Sequence, residues 1–285
     1  MNYKITILLF IALLSVSTSP IIAKSLVDVP AVSISFWRMI IGSFFLWFYS
    51  GFYKQGIMNN SKNYSKTVIA GILLGLHFAL FFGAIKLTLI SNATFLGTLA
   101  PLFTLILEIL ILKRKFNPKV IFGLGLSLIG AYVIFGNEFD LSEKYILGNF
   151  LALVCSLCLA LCFMIAEKVR QNENTIVYTR LLYLSAAITL SIIALLSNTP
   201  LFGFTSYEYL GLLFLGVVPT IIGHNAIYYS VKYVSPTIVS AFPLGEPIIA
   251  TILAFFIFGE AIGISIYIGG SITLLGLILI TLKNN

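Results

Sequence analysis

Along this chain, polar residues gather in short clusters between ten long apolar stretches, at about 5–23, 32–51, 67–85, 89–112, 120–136, 147–166, 176–196, 209–230, 237–258 and 262–282. Each is too long for an ordinary strand and none alternates with the period of two that a membrane barrel requires, so helices are the spanning structure that remains. A helix crosses the hydrocarbon with about 20 apolar residues. Ten such spans use nearly all 285 residues and leave no segment for a soluble catalytic domain. The pattern predicts an all-α integral membrane protein of ten transmembrane helices. The first stretch continues through Pro20 to Ile21, Ile22 and Ala23, which favours an uncleaved first helix over a signal peptide.

The pattern also repeats. His77 and His224 lie 147 positions apart, and Pro101 and Pro247, Gly123 and Gly269, and Gly130 and Gly276 each lie 146 apart. Gly75-Leu-His-Phe-Ala-Leu-Phe-Phe corresponds to Ile222-Gly-His-Asn-Ala-Ile-Tyr-Tyr, and Phe36-Trp-Arg38 corresponds more weakly to Tyr178-Thr-Arg180. The repeats are 5–136 and 147–282, with five helices each. An odd number of spans makes the second copy enter the membrane from the opposite side, giving two inverted five-helix repeats, the organisation of many secondary transporters. Two such halves can exchange conformations and open a midplane site to each face in turn.

Composition agrees with the pattern: 59% of residues are hydrophobic, 9% are charged and mean hydropathy is +1.05, whereas soluble chains carry about 25% charged residues. The net charge of +7 is dispersed over loops and so speaks for topology, not nucleic acid. With Met1 in the cytoplasm, Lys4, Lys54, Lys62, Lys66, Lys113, Arg114, Lys115, Lys119, Lys168, Arg170, Lys232 and Lys283 fall inside, and only Lys24, Lys86 and Lys144 fall outside. Acidic residues such as Glu138, Asp140, Glu208 and Glu260 fall outside. A multi-pass plasma-membrane protein with both termini cytoplasmic is expected. Cys155, Cys158 and Cys162 share one helix face, where packing is the simpler role.

A polar group in hydrocarbon is costly, so ionisable residues inside the spans are functional candidates. Arg38, His77, His224 and Glu246 are these, and Asn92, Asn225 and Tyr228 add polar groups to a substrate pathway. A guanidinium suits an anionic group such as a carboxylate, or snorkels to an interface. Imidazole titrates near neutral pH or bonds a neighbouring helix. Glu246 sits in Pro243-Leu-Gly-Glu-Pro247, which should kink or break its helix; it could bind a cation or proton, or pair with Arg180 to hold the bundle together. Ser17, Pro20, Pro101, Pro243 and Pro247 are gating or helix-kink candidates. Glu108 and Glu260 lie near helix ends, where solvation or pairing with loop charges is expected. No cofactor, metal or catalytic residue is called for.

Ser17-Thr-Ser-Pro-Ile-Ile-Ala-Lys24, Phe36-Trp-Arg38, Gly75-Leu-His77, Ala100-Pro101 and Leu244-Gly-Glu-Pro247 through Gly259-Glu260 together resemble the drug/metabolite transporter superfamily, and within it the EamA-type ten-helix carriers. The resemblance covers almost the whole chain. It implies a plasma-membrane carrier with a central cavity, moving amino acids, related metabolites or other small solutes, often outward. One departure is Arg114, at the place matching Glu260, where the family commonly has an acidic residue. The expected partners are a small-molecule substrate, the lipid bilayer, protons as a coupling ion and, as an open option, a second copy in a homodimer. The same fold could serve metabolite uptake. A membrane-embedded lipid-modifying enzyme would need a polar cluster at one interface, which the scattered ionisable residues do not make.

Overall fold

The computed structural model describes residues 2–136 and 139–282; Glu138 and Lys283, assigned to opposite faces above, lie outside that set. Among the described residues the chain forms ten helical spans: α1 (Tyr3–Ser25), α2 (Ala31–Phe52), α3 (Lys62–Leu87), α4 (Ile90–Leu110), α5 (Pro118–Phe135), α6 (Glu143–Arg170), α7 (Thr175–Leu196), α8 (Ser206–Ser230), α9 (Pro236–Phe258) and α10 (Ile264–Thr281). Short polar caps start several of them. Asn2, Asn117 and Asn174 each accept a backbone N–H two residues ahead, and Thr205 and Glu208 form a reciprocal capping box. Gly259 ends α9 at φ 70°, a left-handed conformation that suits glycine.

The fold is two five-helix repeats of opposite orientation. α2 packs on α7 and α5 on α10, each helix against its repeat mate. The first helix of each repeat crosses over: α1 packs on α8 and α9, and α6 packs on α3 and α4. The chain ends therefore share one face, called here the terminal face, with the α4–α5 and α8–α9 loops; the α3–α4 and α9–α10 loops lie on the far face.

Lipid offers helices little hydrophobic reason to associate, so close backbone approach and cross-helix hydrogen bonds must hold them. The α5–α10 seam shows both. A Cβ on Gly130 would sit 2.3 Å from Thr273 Oγ1 and 2.5 Å from the Gly269 carbonyl oxygen, and one on Gly276 would sit 2.4 Å from the Gly123 carbonyl oxygen. Beside them Ser127 Oγ donates to the Thr273 carbonyl (3.3 Å) while Thr273 Oγ1 donates to the Ser127 carbonyl (3.4 Å), a reciprocal pair 146 positions apart.

Four spans are broken near mid-membrane. α1 divides at Thr18 into Tyr3–Ser17 and Ser19–Ser25, with Pro20 in the first turn of the second piece. α4 divides into Ile90–Gly97 and Ala100–Leu110, with Pro101 beginning the second. α9 runs Pro236–Ala241, then a 3₁₀ turn Phe242–Gly245 containing Pro243, then Glu246–Phe258 with Pro247 in its first turn. In α8, Pro219 lies inside a π-helical stretch, Gly216–His224, whose wider turn accommodates the missing N–H. Hydroxyls engage carbonyls at these breaks: Ser17 Oγ donates to Leu13 (2.7 Å), Thr18 Oγ1 to Ser15 (2.7 Å), Thr104 Oγ1 to Pro101 (2.9 Å) and Thr220 Oγ1 to Leu215 (2.8 Å).

If the α5–α10 seam sets the spacing of the repeats, Gly130→Ala should destabilise the protein by about 1–3 kcal/mol through overpacking. Gly125→Ala on the same helix, where an added Cβ meets nothing within 4 Å, should not. Thermal unfolding of both variants in the same detergent checks the difference.

Candidate functional site

Arg38 lies in the first half of α2 and is 8% exposed, so it does not snorkel. Its Nη1 donates to Ser19 Oγ on α1 (2.9 Å), its Nε to Thr220 Oγ1 on α8 (3.5 Å), and its Nη2 lies 3.5 Å from His224 Nε2. The guanidinium also sits over the Phe78 ring of α3, 5.3 Å from its centroid. The breaks in α1 and α8 explain why Ser19 and Thr220 can reach it. None of these partners carries a negative charge. Among the described residues, the ion pairs are Lys24–Glu260, Arg114–Glu108 and Arg114–Glu167, and Arg38 is in none of them.

Glu246 begins the second piece of α9, at the break. It is half-buried and makes no hydrogen bond or ion pair among the described residues, although it and Arg38 lie within each other's electrostatic influence. The expected alternative, pairing with Arg180, is not what the structure has. Arg180 lies toward the terminal face, bonded to Ser50 Oγ and to the Gly56 carbonyl (2.7 Å), and stacked over Trp47 at 4.1 Å.

The two histidines occupy corresponding places in α3 and α8 but have different neighbours. His77 Nδ1 lies 3.1 Å from both the carbonyl oxygen and the Sγ of Cys155 on α6. His224 turns its Nε2 toward Arg38. Asn225 accepts a hydrogen bond from Tyr183 Oη on α7 (2.9 Å). Ser19, His77, His224, Asn225 and Glu246 are each half-buried within the bundle. Arg38, Ser19, Thr220, His77, His224 and Glu246 thus bring α1, α2, α3, α8 and α9 to one polar locus.

Two pathway candidates stand apart from it. Asn92 is fully buried at the far-face end of α4, where its amide donates to the Asp140 carbonyl and to Asn149 Oδ1 (2.9 Å) while its oxygen accepts from the Asp140 N–H (3.1 Å). With both donors and its acceptor engaged, it fastens the α5–α6 loop. In that loop the Asp140 carboxyl is held below the usual carboxylate range, chiefly by the Ser142 backbone N–H (2.8 Å). Tyr228 is fully buried among Phe163, Tyr178 and Tyr183, its hydroxyl 3.5 Å from Cys162 Sγ, and belongs to the apolar core. Conversely, Thr220 and Tyr183 were not singled out from sequence. Buried hydroxyls recur throughout this chain, and nothing local marks these two.

Residues 4–136 and 146–282 each match the EamA-like transporter family. A protein of Archaeoglobus fulgidus named as an uncharacterized transporter is 26% identical over 295 residues, with both chains covered in full. A second transporter so named from that organism is 28% identical over 201 residues, 70% of each chain. A crystal structure at 19% sequence identity superposes with a TM-score of 0.85, covering 99% of this chain and 97% of the other, which is a likeness of fold.

The hydrogen-bond pattern separates structural from site residues in a measurable way. Asn92→Ala should lower stability by about 1–3 kcal/mol, because the buried Asn149 and Asp140 groups lose their partner. Asn225→Ala removes a single acceptor at a half-buried position and should cost about 1 kcal/mol. Denaturation midpoints of the two purified variants give the comparison.

Proposed function

Because this chain belongs to the EamA-like transporter family, transport is the premise, and we propose that it moves small polar metabolites, amino acids and related compounds, outward across the plasma membrane by alternating access. The observation that carries the substrate class is the separation of two charges at mid-membrane. Arg38 is buried with only neutral hydrogen-bond partners, and Glu246, though within its electrostatic influence, makes no direct ion pair with it among the described residues. Removing an ion from water costs several kcal/mol, which a well-placed counter-charge offsets. A carboxylate of the substrate at Arg38, and an ammonium group or proton at Glu246, would complete both groups.

In this reading Ser19, Thr220 and His224 orient the guanidinium fork, and His77 lines the pathway from α3 of the first repeat. The breaks at Ser17–Pro20, Pro101 and Pro243–Pro247 are the hinges about which helix halves move. The repeats 5–136 and 147–282 supply the two orientations that alternation needs. The crossed-over helices α1 and α6 tie each repeat to the other, so movement on one face is coupled to movement on the opposite face. The excess of Lys and Arg on the terminal face supports placing both termini in the cytoplasm. Outward transport follows the habit of the carriers that the sequence resembles.

The test is exchange of labelled amino acids, nucleosides and small carboxylates in proteoliposomes, with and without an imposed pH gradient. Arg38→Gln should weaken substrate affinity by about ten- to a hundredfold, the loss of one charge-assisted contact. Glu246→Gln should abolish gradient-driven accumulation while leaving passive exchange. Movement of neutral, uncharged solutes alone, unaffected by Arg38→Gln, would sink the carboxylate assignment.

A further inference from the structure

The two broken helices α4 and α9 are repeat mates, yet the junctions they make on the two faces are built differently. On the terminal face the second half of α4, Ala100–Leu110, packs against the first half of α9, Pro236–Ala241. Thr104 Oγ1 and Ser240 Oγ are 3.1 Å apart across this junction. One turn further on, Glu108 is completely buried; its Oε2 accepts the Thr237 backbone N–H (2.9 Å) and hydroxyl, and its Oε1 accepts from Arg114 Nη1. Arg114 Nη2 in turn donates to Glu167 Oε1 at the end of α6 (2.9 Å). On the far face the other halves pack within their own groups, Ile90–Gly97 on α6 and α3, and Glu246–Phe258 on α1 and α10.

Shifting by the repeat offset of 146 shows what the far-face junction has available. Thr104 becomes Ala250, Glu108 becomes Ala254 and Arg114 becomes Glu260. The ion pair between the first helix of one repeat and the loop after the broken fourth helix of the other recurs with its polarity reversed: Glu167–Arg114 near the terminal face and Lys24–Glu260 near the far face. Those pairs tie α6 to the α4–α5 loop and α1 to the α9–α10 loop. Glu108 differs, because its carboxylate bridges α4 to α9, and a methyl group stands in its place on the far side.

We propose that Glu108 is a positioning residue of the transport cycle, a one-sided latch that holds the terminal face shut and biases the empty carrier toward opening at the far face. This rests on the alternating-access reading above. Opening the terminal face requires the Glu108–Thr237 contact to break inside the bundle, whereas closing the far face meets no equivalent lock. The two half-cycles are therefore unequal in free energy despite the symmetry of the fold.

The test uses spin-label pairs in the full chain, with the three buried cysteines replaced by alanine, reconstituted in liposomes. One pair spans the terminal face (Lys115→Cys with Lys232→Cys) and one spans the far face (Ile90→Cys with Ile264→Cys). Glu108→Ala should raise the terminal-open population about ten- to a hundredfold, the equivalent of one lost charge-assisted contact. Thr237→Val, which removes the hydroxyl donor but keeps the Arg114 pair, should shift it in the same direction by less, and guards against misfolding of the first variant. Adding Ala254→Glu to Glu108→Ala should move the balance further toward closure of the far face. Distance distributions unchanged in folded Glu108→Ala and Thr237→Val would overturn the latch. If the terminal face opens while the far face does not close, the latch stands and coupled alternation fails.

Discussion

Hydrocarbon supplies no partner for a backbone amide or carbonyl, so any irregular turn at membrane depth must find its hydrogen bonds inside the protein. That constraint organises this fold. The breaks in α1, α4, α8 and α9 occur at prolines, and each has a hydroxyl close by to occupy a nearby carbonyl, as Ser17 and Thr18, Thr104, Thr220 and Ser240 do. Such turns are tolerated only where helices face one another or an internal space. The need to satisfy the backbone and the need to build a polar locus therefore select the same place, the middle of the bundle between the repeats.

The polar locus obeys a second economy. A permanent cation at mid-membrane would be most simply stabilised by a carboxylate on a neighbouring helix, as Arg114 is by Glu108 and Glu167. Arg38 instead has a serine, a threonine, a histidine and an aromatic face. These hold the guanidinium in place without a direct ion pair, Glu246 acting on it only at a distance. Glu246, on a helix that approaches from the other repeat, is left likewise. Closing the two into a direct salt bridge would stabilise the empty bundle and remove its reason to bind anything. Leaving them apart keeps a charge pattern that the small zwitterion or acid proposed above would complete.

The architecture was largely legible in the sequence, because hydropathy marks each span and the offset of 146 aligns the halves without knowledge of contacts. Which face of a helix turns inward was not. Lipid and protein interior are both apolar, so the periodicity that separates core from solvent in a soluble helix carries little information here. Tyr228 illustrates this: a polar-tipped aromatic one turn from His224 reads as lining, yet it fills the core. Asn92 reads as a polar residue inside a span, yet its partners Asp140 and Asn149 come from a loop and a helix start that no local pattern points to. Glu108 is read half correctly, since pairing with a loop charge is expected of it and Arg114 supplies that pair. Its place near a helix end suggests solvent, but the crossing of α4 and α9 buries it against the amide of Thr237.

The departure at Arg114 is resolved by the same contacts. An acidic residue there would face Glu108 and Glu167 and repel both; with the carboxylates moved onto α4 and α6, arginine is the residue that balances them. Its repeat mate Glu260 is balanced by Lys24 in the reversed sense. The backbone symmetry of the two halves thus coexists with a chemistry that is antisymmetric at the helix ends and unequal at the junctions. Symmetric folding makes two conformations geometrically equivalent, but it does not make them equally stable. A carrier with a favoured direction needs the first property for access to both faces and the second for setting where the cycle rests. The identities of a few side chains, Glu108 opposite Ala254 and Arg114 opposite Glu260, are enough to separate the two.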